Sequence, residues 1–337
     1  MKKQVRNGLS GLLGILFLVS CGSGQSVASY DGVKLPVGTV ESASEKKAVA
    51  NLYNAAMDKE SQMEEGNGSS SSSVKKANTE SADDADAENA SASSSAEEEK
   101  LPFDSYRAEY VFHYEMTGTF ANGSSKASRS EDTSVVWTAV YKPSFLFELE
   151  EKHTTSASLP GTGGTYSGTQ NVKLHLEDND LYGESNVSGN YFKVGGKFHF
   201  ALPSFTSLYD GLNGYLDLKK ASEDLRFEAG GDENDNALKG ILDDGKAEIL
   251  ASSRDGVEVQ FDYASRGTYS LTFDPETSLL TKAELDLSRA YRANEKKEQP
   301  LINDVNVIVS VSLSFTYGNQ TIQKLTDEEK KAYSTLD

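Results

Sequence analysis

From Ser105 to Tyr317 the chain keeps returning to one pattern, in which apolar and polar residues alternate one for one. In SYRAEYVFHYEMTGTF, Tyr106, Ala108, Tyr110, Phe112, Tyr114 and Met116 alternate with Arg107, Glu109, Val111, His113 and Glu115. A period of two puts the first set on one face of a β-strand and leaves the second mostly in water. Val135, Trp137, Ala139 and Tyr141 repeat the pattern, as do Phe145, Phe147 and Leu149, then Val172, Leu174 and Leu176. Near the end, Val305, Val307, Val309, Val311, Leu313, Phe315 and Tyr317 make one apolar face opposite Ser310, Ser312, Ser314 and Thr316.

The connections are short. YFKV-GG-KFHF predicts a hairpin about Gly195-Gly196, since both glycines tolerate positive φ in a tight turn. Asp244-Gly245, Asp255-Gly256 and the PETS segment separate the strands of the C-terminal half. There Leu279, Thr281, Ala283, Leu285 and Leu287 are expected on one face, with Lys282, Glu284 and Asp286 on the other. Short connections make neighbours antiparallel, and alternation means a sheet wet on one face. About ten such strands exceed what a twisted open sheet holds without curling. The expected fold class is mainly β (α+β): a large curved antiparallel half-barrel sheet of about ten strands, covered by one or more helices.

The cover comes from a few helical segments. Ser42 and Glu45 have capping-box spacing, in which each side chain satisfies a free backbone N–H. Behind them Val49, Leu52, Tyr53, Ala56, Met57 and Met63 recur at three- and four-residue spacing, predicting an amphipathic helix over 42–65. A second piece is expected around PSFTSLYDGLNGYL, and a short third one after the capping pair Thr326 and Glu329. Residues 66–100 break the pattern. GNGSSSSSV and SADDADAENASASSSAEEE hold no aromatic and almost no branched apolar residue, so disorder is expected there.

The N-terminus carries Lys2, Lys3 and Arg6, then an apolar run from Leu9 to Val19. That run is roughly half of what a spanning helix needs, and fits a secretory leader. Leu18-Val19-Ser20-Cys21 resembles the lipobox of bacterial lipoproteins. The resemblance implies a leader over 1–20 that is cut away, and diacylglyceryl attachment at Cys21, which becomes the first mature residue. Two acyl chains, at about 0.8 kcal/mol per buried methylene, make such an anchor stable. Cys21 is the single cysteine, so no disulfide forms within the chain. Residues 21–41 are then expected to be a tether and 101–337 the β domain. Location follows: the cell envelope, on the extracytoplasmic side of a membrane. The net charge of −19 argues against a nucleic-acid partner, because phosphate binding needs a basic surface.

Ser105-Tyr106 opening the first long strand, and Asp274, Thr277 and Leu280 around the late turn, resemble the LolA/LolB-like and LppX/LprG-like lipoproteins and carriers. That resemblance implies a half-barrel covered by helices, with apolar space between them for a lipid or another acyl-bearing molecule.

No catalytic constellation accompanies these features. His113, His153, His175 and His199 lie far apart, mostly at positions opposite the apolar set, so neither a metal nor any cofactor is expected. No nucleophile elbow and no H-E-x-x-H appears, and GTGG at 161–164 lacks the Lys-Ser/Thr of a phosphate loop. The 232–243 segment has Asp232, Asn234, Asn236 and Asp243 at calcium-loop positions. Ala237 replaces the turn glycine, so a polar surface loop is the better fit.

What remains is the aromatic face: Tyr106, Tyr110, Phe112, Tyr114, Trp137, Tyr141, Phe145 and Phe147. These residues either pack as a solid core beneath the helices or line a cavity for an apolar ligand. Buried phenols want hydrogen-bond partners, which a rim or ligand supplies. The expected function is non-enzymatic: a lipoprotein binding or carrying a lipid-like ligand, or an interaction lipoprotein with a solid core.

Overall fold

The computed structural model describes residues 27–65, 102–121, 123, 125–159, 164–177, 180–187, 190–197, 202–205, 208, 245–264 and 267–335. The leader, Cys21, the 66–100 stretch, most of the 203–216 segment, the 232–243 loop and His199 lie outside them. Three short strands come first, β1 (Ser29–Tyr30), β2 (Val33–Lys34) and β3 (Gly38–Thr39), followed by helix α1 (Ala43–Glu65). A meander follows: β4 (Ser105–Phe120), β5 (Lys126–Val140), β6 (Leu146–Leu159), β7 (Gly164–Glu177), β8 (Asp180–Val187) and β9 (Asn190–Lys197). A second meander contains β10 (Gly245–Ser253), β11 (Gly256–Tyr263), β12 (Gly267–Asp274) and β13 (Leu279–Asp286). After helix α2 (Ser288–Glu298) it closes with β14 (Ile302–Tyr317); α3 (Asp327–Lys330) and β15 (Ser334–Thr335) end the described chain.

Among the described residues one sheet of 13 strands forms, in the order β15-β9-β8-β7-β6-β5-β4-β14-β13-β12-β11-β10-β3. It is not closed. The two meanders meet at β14 and β4, which pair antiparallel from Ile302–Phe120 to Tyr317–Tyr106. Both outer edges are capped by two-residue strands, β3 on β10 and β15, in parallel, on β9. Each cap pairs with two residues of the strand it covers, Glu248 and Ile249 of β10 and Val194 and Gly195 of β9.

The alternation read from the sequence produces this face. Along β14, Val305, Val307, Val309, Val311, Leu313 and Phe315 are buried, while Asn306, Ile308 and Ser310 are exposed. The same holds for β4, β11 and β12. Helix α1 lies on this face. Val49, Leu52, Tyr53, Ala56, Met57 and Met63 are buried, and the Tyr53 ring meets the edges of Phe261 and Phe273 at 6.2 Å each. The capping pair forms as the spacing requires: Glu45 N–H donates to Ser42 Oγ and Ser42 N–H to Glu45 Oε2, both at 3.2 Å. At its far end, Tyr141 Oη donates to the Met63 carbonyl at 3.3 Å. The helix is therefore part of the β body.

Three sequence expectations need correction. The tether over 21–41 ends early: Ala28, Leu35 and Val40 are buried, and Val40 N–H donates to the Ala247 carbonyl at 3.0 Å. Gly195 and Gly196 make no turn but sit inside β9, paired with Tyr182 and Leu181. The connection lies earlier, between Val187 and Asn190. A Cβ at Gly195 would stand 3.5 Å from both the Tyr182 ring and Tyr333, an ordinary van der Waals contact. In β13 a bulge inserts Thr281, since Thr272 pairs with Lys282 but Phe273 with Leu280. Leu280 thus joins the core in place of Thr281, whose Oγ1 donates to the Thr272 carbonyl at 3.0 Å.

Candidate functional site

Cross-strand register decides which side chains share the helix-covered face. One row across the sheet reads Phe261, Tyr269, Leu285, Val311, Phe112, Thr133, His153, Gln170. The next reads Val259, Leu271, Ala283, Leu313, Tyr110, Val135, Glu151, Val172. Both rows are apolar from β11 to β4; the first turns polar from β5 to β7, and the second is interrupted by Glu151 on β6 between Val135 and Val172.

The aromatic residues singled out in the sequence fall into two groups. At one end Tyr106, Trp137, Tyr141 and Phe145 gather with Phe103, Phe315 and Tyr317. Trp137 stands edge-on to Phe315 at 6.3 Å, and Tyr106 stacks on Tyr141 at 6.3 Å. Tyr106, Trp137 and Phe147 are all but inaccessible, whereas Tyr141 and Phe145 are half-buried. The phenols find partners within the protein. Trp137 Nε1 donates to Tyr106 Oη at 3.2 Å, and Tyr317 Oη donates to the Leu280 carbonyl. Burial, with the neighbouring Tyr141 phenol, pushes the Tyr106 hydroxyl well above its ordinary range. Burial does the same to Tyr141, helped by the Glu60 carboxylate. These groups stay neutral and act as hydrogen-bonding spacers in a packed core.

The second group, Tyr110, Phe112 and Tyr114, sits where the face changes character. Tyr110 lines a void with Phe205, Leu208, Ala283, Leu285, Val311 and Leu313, of ≈ 10 Å³. That holds about one water and no organic ligand. Tyr110 is driven upward by burial and by Glu131. Tyr114 Oη donates to Glu295 Oε1 at 2.9 Å, a buried contact supplied by α2, and Tyr291 of the same helix lies 6.1 Å from the Tyr114 ring.

Beyond them lies a polar quadrant that the sequence did not reveal. Arg129, Glu131, Thr133, Glu151, His153 and Thr155 face inward from β5 and β6. Arg129 stacks over the Tyr114 ring at 5.3 Å and donates to Glu131 Oε2 at 3.3 Å. Thr133 Oγ1 and His153 Nδ1 are 2.7 Å apart. His153 therefore belongs to the helix-covered face, contrary to its expected outward position; His113 points outward, 2.7 Å from Asp132. The inward side chains are half-buried; on the outer face of the same strands Ser130 and Thr154 are half-buried too, and Asp132, Ser134, Lys152 and Ser156 are exposed. The first half of β5, KASRSEDTS, has no apolar parity, so its inner face is set only by pairing with β4.

Outside this face, His175 is enclosed between Glu148 and Glu177 at 3.1 and 3.2 Å. Glu177 is buried, accepts from Leu325 N–H at 3.0 Å and pairs with Lys330. It ties the C-terminal segment across β7 and β8. Among the described residues no cluster of His, Cys, Asp and Glu could hold a metal, and no helix is long and apolar enough to cross a membrane.

No protein-family model matches the chain, and no curated protein does. Two solved structures are similar in part. One is a DUF1329 family protein from Desulfovibrio piger, at 10% identity and a TM-score of 0.15 over 64% of this chain and 86% of that one. The other is a beta-barrel-like protein of the domain of unknown function DUF1849 from Brucella abortus, at 9% identity and 0.17 over 65% and 98%.

Proposed function

We propose that this chain is a non-enzymatic lipoprotein, held through Cys21 on the extracytoplasmic side of a membrane, that binds a lipid-like molecule on its curved sheet. The observation that carries this is the uneven cover of the inner face. Over β11–β14 the face is closed: α1 buries Leu52, Tyr53 and Ala56 there, and Phe205 and Leu208 leave a void of only ≈ 10 Å³ against β4, β13 and β14. Across β7 and β8, Val172, Leu174 and Leu181 remain half-buried on that same face. Half-buried aliphatic side chains beside polar ones match the lining of small-molecule sites. The binding region is accordingly β5–β8, and the aromatic cluster around Trp137 is its floor.

A second reading rests on the tight packing beneath α1: the sheet is a solid scaffold that displays loops to a partner protein. Native mass spectrometry of protein purified from its own membranes separates the two. An apolar species of defined mass should accompany the chain and be lost on organic extraction; a bare mass in every preparation supports the scaffold. The anchor is tested by Cys21→Ala. This variant should remain uncleaved and fail to incorporate labelled palmitate, and a cleaved, labelled product would exclude Cys21 as the acylated residue.

A further inference from the structure

Fixing Cys21 in a bilayer leaves little chain between the membrane and the β body. We infer that the corner formed by Val27, Pro36, Val37 and Leu250 is the surface that meets the lipid, with its apolar side chains dipping into the boundary between headgroups and acyl chains. This rests on the Cys21 anchor proposed above.

Three observations support it. First, the chain enters the β body at once. Ala28 is buried, and its N–H donates to Ser252 Oγ at 3.1 Å. The six residue steps from Cys21 to Val27, fully extended, span at most about 22 Å. The sheet has 13 strands, which at a spacing of about 4.8 Å measure about 60 Å along its curve. Most of the body is therefore out of the tether's reach, and this corner is held nearest the lipid.

Second, register brings the apolar residues together. Leu35 N–H donates to the Ala28 carbonyl at 2.9 Å, which sets Val27 beside Pro36 one step further along. Gly38 pairs with Ile249, which sets Val37 beside Leu250 in the same way. Pro36 and Val37 are consecutive, so the four residues form one strip. All are exposed, Val37 at 63% and Leu250 at 39%.

Third, the strip departs from the rest of the outer face. On β10, β11 and β12 the outward positions Lys246, Glu248, Glu258, Gln260, Ser270 and Thr272 are polar. Leu250 interrupts them at a bulge, where the register shifts between Ile249 and Ala251. Bulges re-aim side chains. Scattered exposed aliphatic residues need no explanation, but adjoining ones mark an interaction surface. The charges bordering the strip, Lys34, Lys246 and Glu248, are of both signs. A chain of −19 also gains nothing from anionic lipid, so the contact is apolar and suits a neutral bilayer.

The test uses the acylated protein from its own membranes, reconstituted in phosphatidylcholine vesicles with or without bromine on the acyl chains. Acylation blocks Cys21, so Val37→Cys, Leu250→Cys and Val111→Cys each carry one free thiol for an environment-sensitive fluorophore. Val111, on the outer face of β4 and 49% exposed, is the control. Insertion by about 5–10 Å brings the probes at 37 and 250 within reach of the bromines. Their emission should shift to the blue and be quenched by brominated lipid, while the probe at 111 keeps its colour and intensity. If no probe responds although the protein floats with the vesicles, the anchor reading stands and this inference is overturned. Equal responses at all three positions would mean general adsorption and would overturn it too. A blue shift that precedes lipid and grows with protein concentration would assign the strip to a second copy of the chain instead. If the protein does not float with the vesicles, the anchor reading itself fails, and this inference with it.

Discussion

Replacing Tyr53 with alanine tests whether α1 is integral to the sheet. The Tyr53 ring is 1% exposed and meets Phe261 and Phe273 at interplanar angles of 83° and 73°. Removing a buried aromatic ring leaves a cavity the surroundings only partly fill, at a loss of about 3–5 kcal/mol. With a urea slope of about 3 kcal/mol per molar, suited to a large domain, a loss of about 4 kcal/mol lowers the unfolding midpoint by about 1.3 M. Trp137 lies on β5, away from α1 in sequence and buried, so its fluorescence reports the β body rather than the helix. Far-ultraviolet circular dichroism recorded alongside should give a coincident transition. A cycle with Phe273→Leu should return a coupling of about 0.5–1.5 kcal/mol for the aromatic edge contact. A Trp137 midpoint that moves by less than about 0.3 M would mean that α1 contributes almost nothing to the sheet. So would a separate early transition in dichroism alone. Either result would mean that α1 is not integral to the sheet.

Other positions give equally direct tests. Gly267 has φ +146°, and a Cβ there would stand 1.8 Å from the Asp286 carbonyl oxygen; Gly267→Ala should lower stability in urea by about 3 kcal/mol or more. Asp274 accepts from the backbone N–H groups of Glu276 and Thr277 at 2.8 and 3.2 Å and from Thr277 Oγ1 at 2.7 Å. Asp274→Ala should therefore cost about 2 kcal/mol by the same assay, and a neutral result would show that the turn does not depend on these bonds. Burial works to raise the Glu177 pKa, but contacts from Lys330, His175 and Leu325 N–H outweigh it and hold the carboxyl below its ordinary value. A depressed carboxylate adds stability above the unfolded pKa of about 4.3 that is lost as pH falls through the folded value. The protection of the Leu325 amide, its exchange rate relative to an unstructured amide at the same pH, should thus fall in the native protein as pH drops below the ordinary carboxylate range. In Glu177→Gln protection should already be low at neutral pH, and unchanged protection would rule out this tie.

Much of the fold was legible because its strands are long and one-sided. In β14, seven inward positions in succession are aliphatic or aromatic, and no other register hides them. Ser42 with Glu45, and Thr326 with Glu329, announced their helices through side chains that act within one turn. Long-range chemistry hid the rest. Helix α2 went unseen since SRAYRANEKKE offers little besides Tyr291 and two alanines to bury, and its buried Glu295 is satisfied by Tyr114, far away in sequence. Gly195-Gly196 looked like a turn because nothing local shows that both pair with β8, at Tyr182 and Leu181. The polar quadrant was invisible for a related reason. Arg129, Glu131 and Thr133 share their parity with Val135 and Trp137, but nothing local distinguishes them from Asp132 and Ser134 on the opposite face.

The junction of β14 with β4 has a consequence for how such a chain reaches its native state. Each meander consists of hairpins between near neighbours and can zip up soon after its residues are available. The seam joins Tyr106 to Tyr317, residues at opposite ends of the β body. Loop closure over such a separation is slow compared with forming a hairpin. During synthesis, N-terminus first, β4 must therefore wait with one backbone edge open until β14 arrives. Any factor that protects this protein while it folds has its natural target there, on an edge that the finished molecule no longer displays.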